Sequence, residues 1–266
     1  MTRIFQVDSF AEGPFSGNPA AVCLLDGPSG ADWMQHVAEE MNLSETAFVH
    51  PAGSVFGLRW FTPKAEVEMC GHGTLATAHV LWEEGILQKN DEAAFDTLSG
   101  VLRAARRGEE IELDFPATPT TECEPAPGLL EALGVVPEYV GRNEYDYLVR
   151  LSSEAAVREA APDFERLRVV ETRGTVLTST GGSGEFDFVS RFFAPAIGIN
   201  EDPVTGSAHC SLAPYWSGEL GKERMLGYQA STRGGVVRVA ARGERVGLGG
   251  RAVTVMRGPL TGLASP

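Results

Sequence analysis

The stretch E-M-C-G-H-G-T-L-A-T-A-H-V-L-W, residues 68–82, places a thiol, two glycines and an imidazole directly before an apolar helical run. The first N–H groups of a helix have no partner within the helix and carry the positive end of its dipole, so such a start can hold an anion or an enolate. The pattern therefore predicts either a binding site or a tight turn where this helix begins.

A second copy of this arrangement is found further along the chain. R-W-F-T-P at residues 59–63 resembles R-F-F-A-P at residues 191–195, an offset of 132. Held without a gap, the offset pairs Cys70 with Asp202, and each half then runs from a strand through a turn to a glycine-rich helix start. A duplicated unit is the simplest explanation. We expect the two helix starts to face one cleft, with Cys70 and Asp202 on opposite walls.

Hydrophobic periodicity and turn residues predict a chain richer in strands than in helices. The predicted strands span residues 3–10, 20–24, 46–50, 56–61, 94–97, 102–106, 110–115, 145–151, 174–179, 186–193, 236–240, 245–248 and 252–257, and the predicted helices span residues 31–41, 74–84, 128–133, 153–160 and 207–217. Pro214 lies inside the last helix and is expected to bend or end it.

A Pro-rich stretch, residues 116–127, predicts a linker between two halves. The N-terminal half then spans residues 1–117 and the C-terminal half residues 128–250. A final strand within residues 251–266 can return to the first half.

Composition and charge exclude several classes of protein. With 43% hydrophobic and 22% charged residues, the chain does not have the composition of a disordered, collagen-like or disulfide-rich protein. No apolar run reaches the roughly 18 residues needed to cross a bilayer, and no secretory signal is visible, so we expect a cytoplasmic protein. Four cysteines without a C-x-x-C pair predict reduced thiols and no structural zinc site.

The chain is strongly acidic, with a formal charge of −14 and a pI near 4.8. Nucleic acids and anionic membranes need a basic surface, so neither is an expected partner. An anionic ligand would have to be held locally by helix N-termini and a few arginines, because the global field is screened beyond about 8 Å at physiological salt.

Glu45 lies in N-L-S-E-T-A-F-V, between a predicted helix and an apolar strand. Its side chain is either an exposed loop carboxylate, the commonest role of a glutamate, or a general base held beside a buried strand. Spacing alone does not decide between these interpretations.

Three further side chains also have two interpretations each. His72 either projects into a cleft or bonds to the backbone of a turn. Asp202 is expected to cap the following helix, with Pro203 at the first helical position, whether or not it also takes part in chemistry. Cys70 is either a small buried apolar residue or a thiol whose pKa is lowered by the helix start.

Other polar residues are predicted to be structural. Cys210 should lie in the core one turn inside its helix, Cys123 falls in the linker, and His79 and His209 lie within helices rather than at their starts. The sequence contains no H-E-x-x-H, no P-loop motif, no G-x-G-x-x-G after a strand and no lysine in a phosphate-cup context. We therefore predict neither a metal ion nor a cofactor.

Four motifs, in order and covering essentially the whole chain, carry a family resemblance. They are V-D-S-F-x-x-G-P-F-S-G-N-P-A-A-V (residues 7–22), N-L-S-E-T-A-F-V (42–49), R-W-F-T-P…E-M-C-G-H-G-T-L-A-T-A-H-V-L (59–81) and N-E-D-P-V-T-G-S-A-H-C (200–210). Together they resemble the PhzF-like phenazine-biosynthesis isomerase family. The resemblance implies an α+β, diaminopimelate-epimerase-like fold, in which two pseudo-symmetric halves each wrap a curved sheet around a central helix, and it implies a homodimer.

The resemblance also implies roles for single residues. The glutamate of the family's S-E-T motif, here Glu45, is its acid/base, while His72 matches the histidine of G-H-x-T and Asp202 the aspartate of D-P-x-T-G-S. Positions lining the family's ligand pocket match Asn18, Ser44, Gly73, Thr74, Gly206 and Ser207. The founding enzyme moves a proton along a dihydro-hydroxyanthranilate skeleton without a cofactor, so the implied partner is a small anionic metabolite.

Three functions stand as alternatives. The favoured one is a cofactor-independent isomerase that moves a proton on a small carboxylate-bearing metabolite, with Glu45 as the shuttle. The second is an amino-acid racemase or epimerase that uses Cys70 with Glu45 or Asp202 as the opposite base. Related epimerases use two opposed thiols, whereas here only one of the two helix starts keeps a thiol. The third is a non-catalytic relative that binds partners.

Overall fold

In a computed structural model of the chain, residues 2–182 and 184–261 are described, and they fall into two units. The first unit contains the described residues of Met1–Asp114 and Gly249–Pro266, and the second those of Phe115–Leu248. Residues 262–266 of the predicted final segment lie outside the described residues. The expected meeting of the two helix starts in one cleft stays a prediction.

The elements follow one another along the chain as strands with a few helices between them. The strands are β1 (Arg3–Ser9), β2 (Asn18–Leu24), β3 (Glu45–Ala52), β4 (Val55–Phe61), β5 (Glu66–Val67), β6 (Ala93–Thr97), β7 (Gly100–Arg107), β8 (Glu110–Pro116), β9 (Thr121–Glu122), β10 (Tyr139–Arg142), β11 (Asp146–Arg150), β12 (Gly174–Thr180), β13 (Phe188–Ala194), β14 (Ile199–Asp202), β15 (Arg224–Gln229), β16 (Gly235–Arg242), β17 (Arg245–Gly250) and β18 (Ala252–Pro259). The helices are α1 (Ala31–Met41), α2 (Gly71–Glu83), α3 (Leu129–Leu133), α4 (Glu154–Glu159), α5 (Phe164–Leu167) and α6 (Gly206–Leu220), with a 3-10 turn at Pro195–Ile197.

The two units repeat one order of strand pairing. In the first, β1 is antiparallel to β2, β2 parallel to β3, β3 antiparallel to β4, β4 parallel to β6 and β6 antiparallel to β7. In the second, β10, β11, β12, β13, β15 and β16 follow the same alternation. In each unit the connection between the last parallel pair contains a short strand and a long helix, α2 or α6.

The helices α2 and α6 are buried on nearly all sides, as expected for helices that are apolar all round. In its own unit α2 packs against β1, β2, β3 and β18, and in the other unit α6 packs against β15 and β16. Each helix start is therefore fixed by the strands around it.

Pro214 lies in the interior of α6, yet the helix continues to Leu220. A proline removes the N–H that would bond to the carbonyl four residues earlier, here that of Cys210. The N–H of Thr118 donates to this carbonyl instead, at 3.1 Å. Pro214 was expected to bend or end the helix. It does not end it, and the carbonyl it frees has another donor.

The predicted linker, residues 116–127, is part of the second unit. Thr118 bonds to α6 through its backbone, and its hydroxyl lies 2.9 Å from that of Ser211. The strand β9 within this stretch pairs with β10. The first segment of the first unit ends at Asp114, and the second unit begins at Phe115.

Candidate active site

Four of the predicted site residues meet in the first unit. Glu45 is the first residue of β3, Cys70 is the N-cap residue of α2, and His72 is the second residue of that helix. Nε2 of His72 lies 2.9 Å from Oε2 of Glu45, and Sγ of Cys70 lies 3.7 Å from Nδ1 and 3.9 Å from Nε2 of the same ring. Nδ2 of Asn18 lies 3.4 Å from His72 Nδ1. We call the first three side chains the Glu45–His72–Cys70 cluster.

Strand pairing brings these residues together from distant parts of the sequence. Asn18 begins β2 and pairs with Ser9 at the end of β1, while Glu45 lies opposite Ala20 in the parallel pair of β2 and β3. Ser9, which the sequence analysis did not single out, donates its hydroxyl to the carbonyl of His72 at 2.8 Å. Its only signal was its place in the first motif, V-D-S-F. Ser44, half-buried, immediately precedes β3.

Cys70 and His72 are buried, and burial acts on their pKa values in opposite directions. Burial alone would lower the pKa of His72, but its interactions with Cys70 and Glu45 outweigh burial and raise this pKa well above its ordinary value. Burial raises the pKa of the Cys70 thiol, and the charge of His72 opposes this only in part. The expectation that the helix start lowers the pKa of this thiol is wrong, because the loss of hydration is the larger effect. The arrangement is a protonated imidazole between a carboxylate and a thiol.

One oxygen of Glu45, Oε2, accepts no hydrogen bond from the described residues. Oε2 is buried, and among the described residues no donor is aligned with it, because the 2.9 Å contact to His72 lacks the angles of a hydrogen bond. A general base needs a lone pair that is not already committed to a donor. Glu45 therefore lies beside the His72 imidazole and has an oxygen, Oε2, that accepts no hydrogen bond from the described residues.

Some of the N–H groups at the start of α2 are hydrogen-bonded to Cys70, and others are not. Cys70 Sγ accepts the N–H of Gly73 at 3.3 Å, and the Cys70 carbonyl accepts the N–H of Thr74 at 3.0 Å and its hydroxyl at 2.6 Å. Gly73 and Thr74 thus have partners within the helix start. The N–H groups of Gly71 and His72 have no acceptor within the part of the chain that the structure describes. These two donors are the ones available to an anion.

The remaining predicted site residues lie in the second unit, where the helix starts later than expected. Thr205 is the N-cap residue of α6, so Asp202 does not occupy the cap position and Pro203 is not the first helical residue. The Thr205 hydroxyl donates to Asp202 Oδ2. Cys70 and Thr205 are the equivalent N-cap residues, at an offset of 135 rather than 132. The ungapped pairing of Cys70 with Asp202 is wrong, because the 3-10 turn and β14 lengthen this connection.

Gln229, at the end of β15, holds the segment between β14 and α6. Its Oε1 accepts the N–H of Thr205 at 2.9 Å, and its Nε2 donates to the carbonyl of Asp202 at 2.8 Å. Gln229 is completely buried. No motif marked it, because a lone glutamine at a strand end gives no periodic or spacing signal. Gly206 begins α6, and Ser207 after it accepts a hydrogen bond from Arg173 at 3.2 Å.

The residues predicted to be structural lie in the cores. Cys210 is buried, and burial raises its pKa to about 12. His209 is buried in α6, with Nδ1 2.8 Å from the Thr205 carbonyl. Cys123 packs against the hydrophobic core of the second unit.

The Glu45–His72–Cys70 cluster also has the donor atoms of a metal site, all within 4.8 Å of one another. Metal binding requires a deprotonated imidazole and a thiolate. The raised pKa of His72 and of Cys70 opposes both deprotonations. A metal ion bound there would have to compete with these protons.

A family profile and similar sequences point to the same group of proteins. The family profile described as "Phenazine biosynthesis-like protein" matches residues 7–258. An uncharacterized isomerase of Halalkalibacterium halodurans is 52% identical over 260 residues, covering 97% of this chain and 98% of the relative. A second uncharacterized isomerase, from Pseudomonas aeruginosa, is 49% identical over 261 residues, with the same coverage of 97% and 98%.

Solved structures extend the likeness to the fold. The crystal structure of a PhzF-family phenazine biosynthesis protein from Enterococcus faecalis matches with a TM-score of 0.92 at 39% identity, covering 97% of this chain and 98% of that one. The predicted α+β, diaminopimelate-epimerase-like fold is confirmed. Within the part of the chain that the structure describes, no helix has the length and apolar character to cross a membrane.

Proposed function

The chain belongs to the phenazine biosynthesis-like (PhzF) family, and we propose that it is an isomerase that moves a proton on a small carboxylate-bearing metabolite. The observation that carries the proposal is the buried Oε2 of Glu45, which lies beside the His72 imidazole and has no aligned donor among the described residues. The names of the two bacterial relatives support the class of reaction, since both are called isomerases.

In the proposed reaction Glu45 acts as both base and acid. Its Oε2 takes a proton from a carbon of the substrate, the electron pair of the C–H bond shifts into the conjugated system, and the same oxygen returns the proton to another carbon. Substrate and product are isomers, so no oxidant or reductant is consumed. His72, held cationic beside the carboxylate, stabilises the charge on Glu45 before the proton arrives.

The other site residues are proposed to bind the ligand. The open N–H groups of Gly71 and His72 suit an anionic group, as does the start of α6. As the resemblance implies, we propose that the protein needs no metal or cofactor and acts as a cytoplasmic homodimer, with Asp202 orienting the substrate. The residues proposed to line the ligand are Asn18, Ser44, Gly73, Thr74, Gly206 and Ser207.

A racemase that uses Cys70 as one of two bases is the second candidate. The observation in its favour is the distance of 3.7 Å between Cys70 Sγ and His72 Nδ1, which is short enough for proton exchange. Two features weigh against it. The thiol already caps α2 by accepting the Gly73 N–H, and burial raises its pKa, so little thiolate is available as a base.

Glu45→Gln tests the proposal, with Cys70→Ser as the matched control. Gln keeps the shape of the side chain but removes its titratable proton, so turnover should fall by about 10²-fold or more, the lower range for general acid–base catalysis. Cys70→Ser keeps an N-cap acceptor and should retain most of the turnover. The measurement is deuterium uptake from D₂O, by NMR, into a carboxylate substrate that the native protein converts. Screening should begin with cyclic dienyl carboxylic acids, the class that the resemblance implies.

Two results would redirect the proposal. Near-native exchange by Glu45→Gln together with lost exchange by Cys70→Ser would transfer the base to Cys70. Loss of activity in EDTA with recovery on adding zinc would make the cluster a metal site. Binding of the substrate should change little in Glu45→Gln, because the proposed anion donors are backbone N–H groups that the substitution leaves in place.

A further inference from the structure

The repeated strand order places a second group of polar residues in the second unit, near the positions that Asn18, Glu45 and His72 occupy in the first. Asn18 begins β2, Glu45 begins β3, and His72 is the second residue of α2. In the second unit Asp146 begins β11, Arg173 immediately precedes β12, and Ser207 is the second residue of α6. The second set has the same topology and different chemistry, with a guanidinium where the first set has a carboxylate.

The Arg173 guanidinium is held in one orientation by neighbours on several sides. Its Nε donates to Asp146 Oδ1 at 2.9 Å, and its Nη2 donates to Asp146 Oδ2 and to the hydroxyl of Ser207, the latter at 3.2 Å. Its Cζ lies 5.1 Å from the ring centroid of Tyr145 and 6.0 Å from that of Phe192. The bidentate pair and the two rings fix the plane of the fork before any ligand arrives.

The cation of this pair faces outward. The Asp146 side chain is 3% exposed, whereas that of Arg173 is 35% exposed. Among the described residues Nη1 of Arg173 has no hydrogen-bond acceptor, and it is not among the buried polar atoms that lack a partner, so it is accessible to solvent. An oriented fork therefore presents unused N–H donors at the start of α6.

Arg191 in the same unit shows what a purely structural arginine looks like in this fold. Its Nε and Nη2 pair with Glu201 at 2.7 and 3.0 Å, and its Nη1 donates to the carbonyl of Ala160 at 2.6 Å. The Arg191 side chain is only 12% exposed. All three nitrogens of Arg191 are used within the protein, so the open Nη1 of Arg173 is not a general property of paired arginines here.

We propose that Arg173, with the Ser207 hydroxyl beside it, binds a carboxylate group of the ligand. A guanidinium stays protonated at any physiological pH and cannot shuttle protons, so its contribution is to bind an anion. One edge of the guanidinium already binds Asp146, so the Nη1 donors and the Ser207 hydroxyl are the groups that remain for the oxygens of a carboxylate. The assignment rests on the proposed function for the nature of the ligand.

Binding of a matched probe pair tests this assignment without turnover. 2-Aminobenzoate carries a carboxylate, and 2-aminobenzamide is a neutral compound of similar shape. NMR titration of the full-length native protein should show tighter binding of the acid than of the amide. Arg173→Gln should reduce this preference by about 10-fold or more, in line with the loss of one charge-assisted hydrogen bond. Arg173→Lys, which keeps the charge and loses the fork, should show an intermediate preference.

Two controls separate binding from folding and from catalysis. Arg150→Gln removes another ion-paired arginine of the second unit, one that pairs with Glu138 and Glu219, and should leave the preference unchanged. Glu45→Gln should also keep the preference, so a failure of the proposed proton transfer is distinguishable from a failure here. The assignment is overturned if the native protein does not prefer the acid at millimolar concentrations, or if Arg173→Lys or a folded Arg173→Gln matches it.

Discussion

His72 and His209 lie near the starts of α2 and α6, and both are buried. Burial lowers the pKa of His209 to about 4, since the backbone carbonyl of Thr205 opposes this only weakly. Burial has the same tendency at His72, where interactions with Cys70 and Glu45 outweigh it and raise the pKa. His209 is therefore a neutral histidine in the core of the second unit, whereas His72 is a cation beside a carboxylate in the first.

The lowered pKa of His209 predicts that stability falls on mild acidification. Between its unfolded value near 6.5 and its folded value of about 4, the unfolded state binds the proton and the folded state does not. Stability therefore decreases as pH falls through this window, by about 2 kcal/mol between roughly pH 7 and pH 5. Urea unfolding of the native protein and of His209→Gln at both pH values measures this. Because other groups titrate too, the expected result is a smaller pH dependence in the variant, and equal dependence would contradict it.

Single residues also show where sequence reasoning reaches its limit. The motifs identified Glu45, His72 and Asn18, and the structure brings these side chains together, although their roles stay predictions. Gly73 was expected to line the ligand pocket, and a Cβ there would lie 2.9 Å from both Cys70 Sγ and Trp60 Cδ1. A glycine is required by this packing, which no local pattern could reveal because Trp60 comes from β4.

Among the elements, α1 was predicted with its observed bounds, and α2 was not. The end of α1 is marked by Asn42 in a left-handed conformation, a local signal that the sequence carries. The helix α2 begins at Gly71, three residues before the predicted start. Glycines and a histidine have low helix propensity, and a cysteine is an unusual N-cap, so tertiary contacts and not local preference set this start.

The position of Pro214 in α6 gives a prediction for this element. Replacing a helix-interior proline by alanine ordinarily gains about 3 kcal/mol. At this site the gain should be below about 1 kcal/mol, because the Cys210 carbonyl already accepts the Thr118 N–H, and a new helical N–H would compete with it. Urea unfolding of Pro214→Ala measures the change.

Gly218 offers a control within the same helix. It is exposed, and a Cβ built there has no heavy atom within 4 Å, so Gly218→Ala should gain about 0.5–1 kcal/mol by helix propensity alone. A gain for Pro214→Ala near the full proline penalty would show that the Thr118 bond does not replace the lost helical one.

At the scale of the whole molecule, the motifs and the repeat predict the fold class. They do not predict which strands pair across long stretches of sequence. The last strand, β18, returns to the first unit and pairs with β1 along its full length, from Ser9 opposite Ala252 to Arg3 opposite Pro259. The predicted final strand could join either half by periodicity alone. Pairing between strands so far apart in sequence depends on tertiary structure, which local patterns do not encode.

This return of the chain predicts that the protein tolerates circular permutation. The N–H of Leu260 donates to the carbonyl of Thr2 at 2.9 Å, so a short Gly/Ser linker can join these two residues without strain. New ends can be placed in the β7–β8 turn after Gly108, where Arg107 pairs with Glu110 and the turn is exposed. The permuted chain should unfold cooperatively in urea with a midpoint close to that of the native order, because every strand pair of the first unit is kept.

Truncation after Gly250 is the matched contrast, because it removes β18 instead of reconnecting it. The shortened chain loses one of the two strands that pair with β1 and the contact of 3.1 Å between Thr254 Oγ1 and His79 Nε2 of α2, so it should be insoluble or unfold without cooperativity. A permuted chain that aggregates while the truncated one folds would reverse both expectations. The first unit would then depend on the order of synthesis and not on the pairing of β1 with β18.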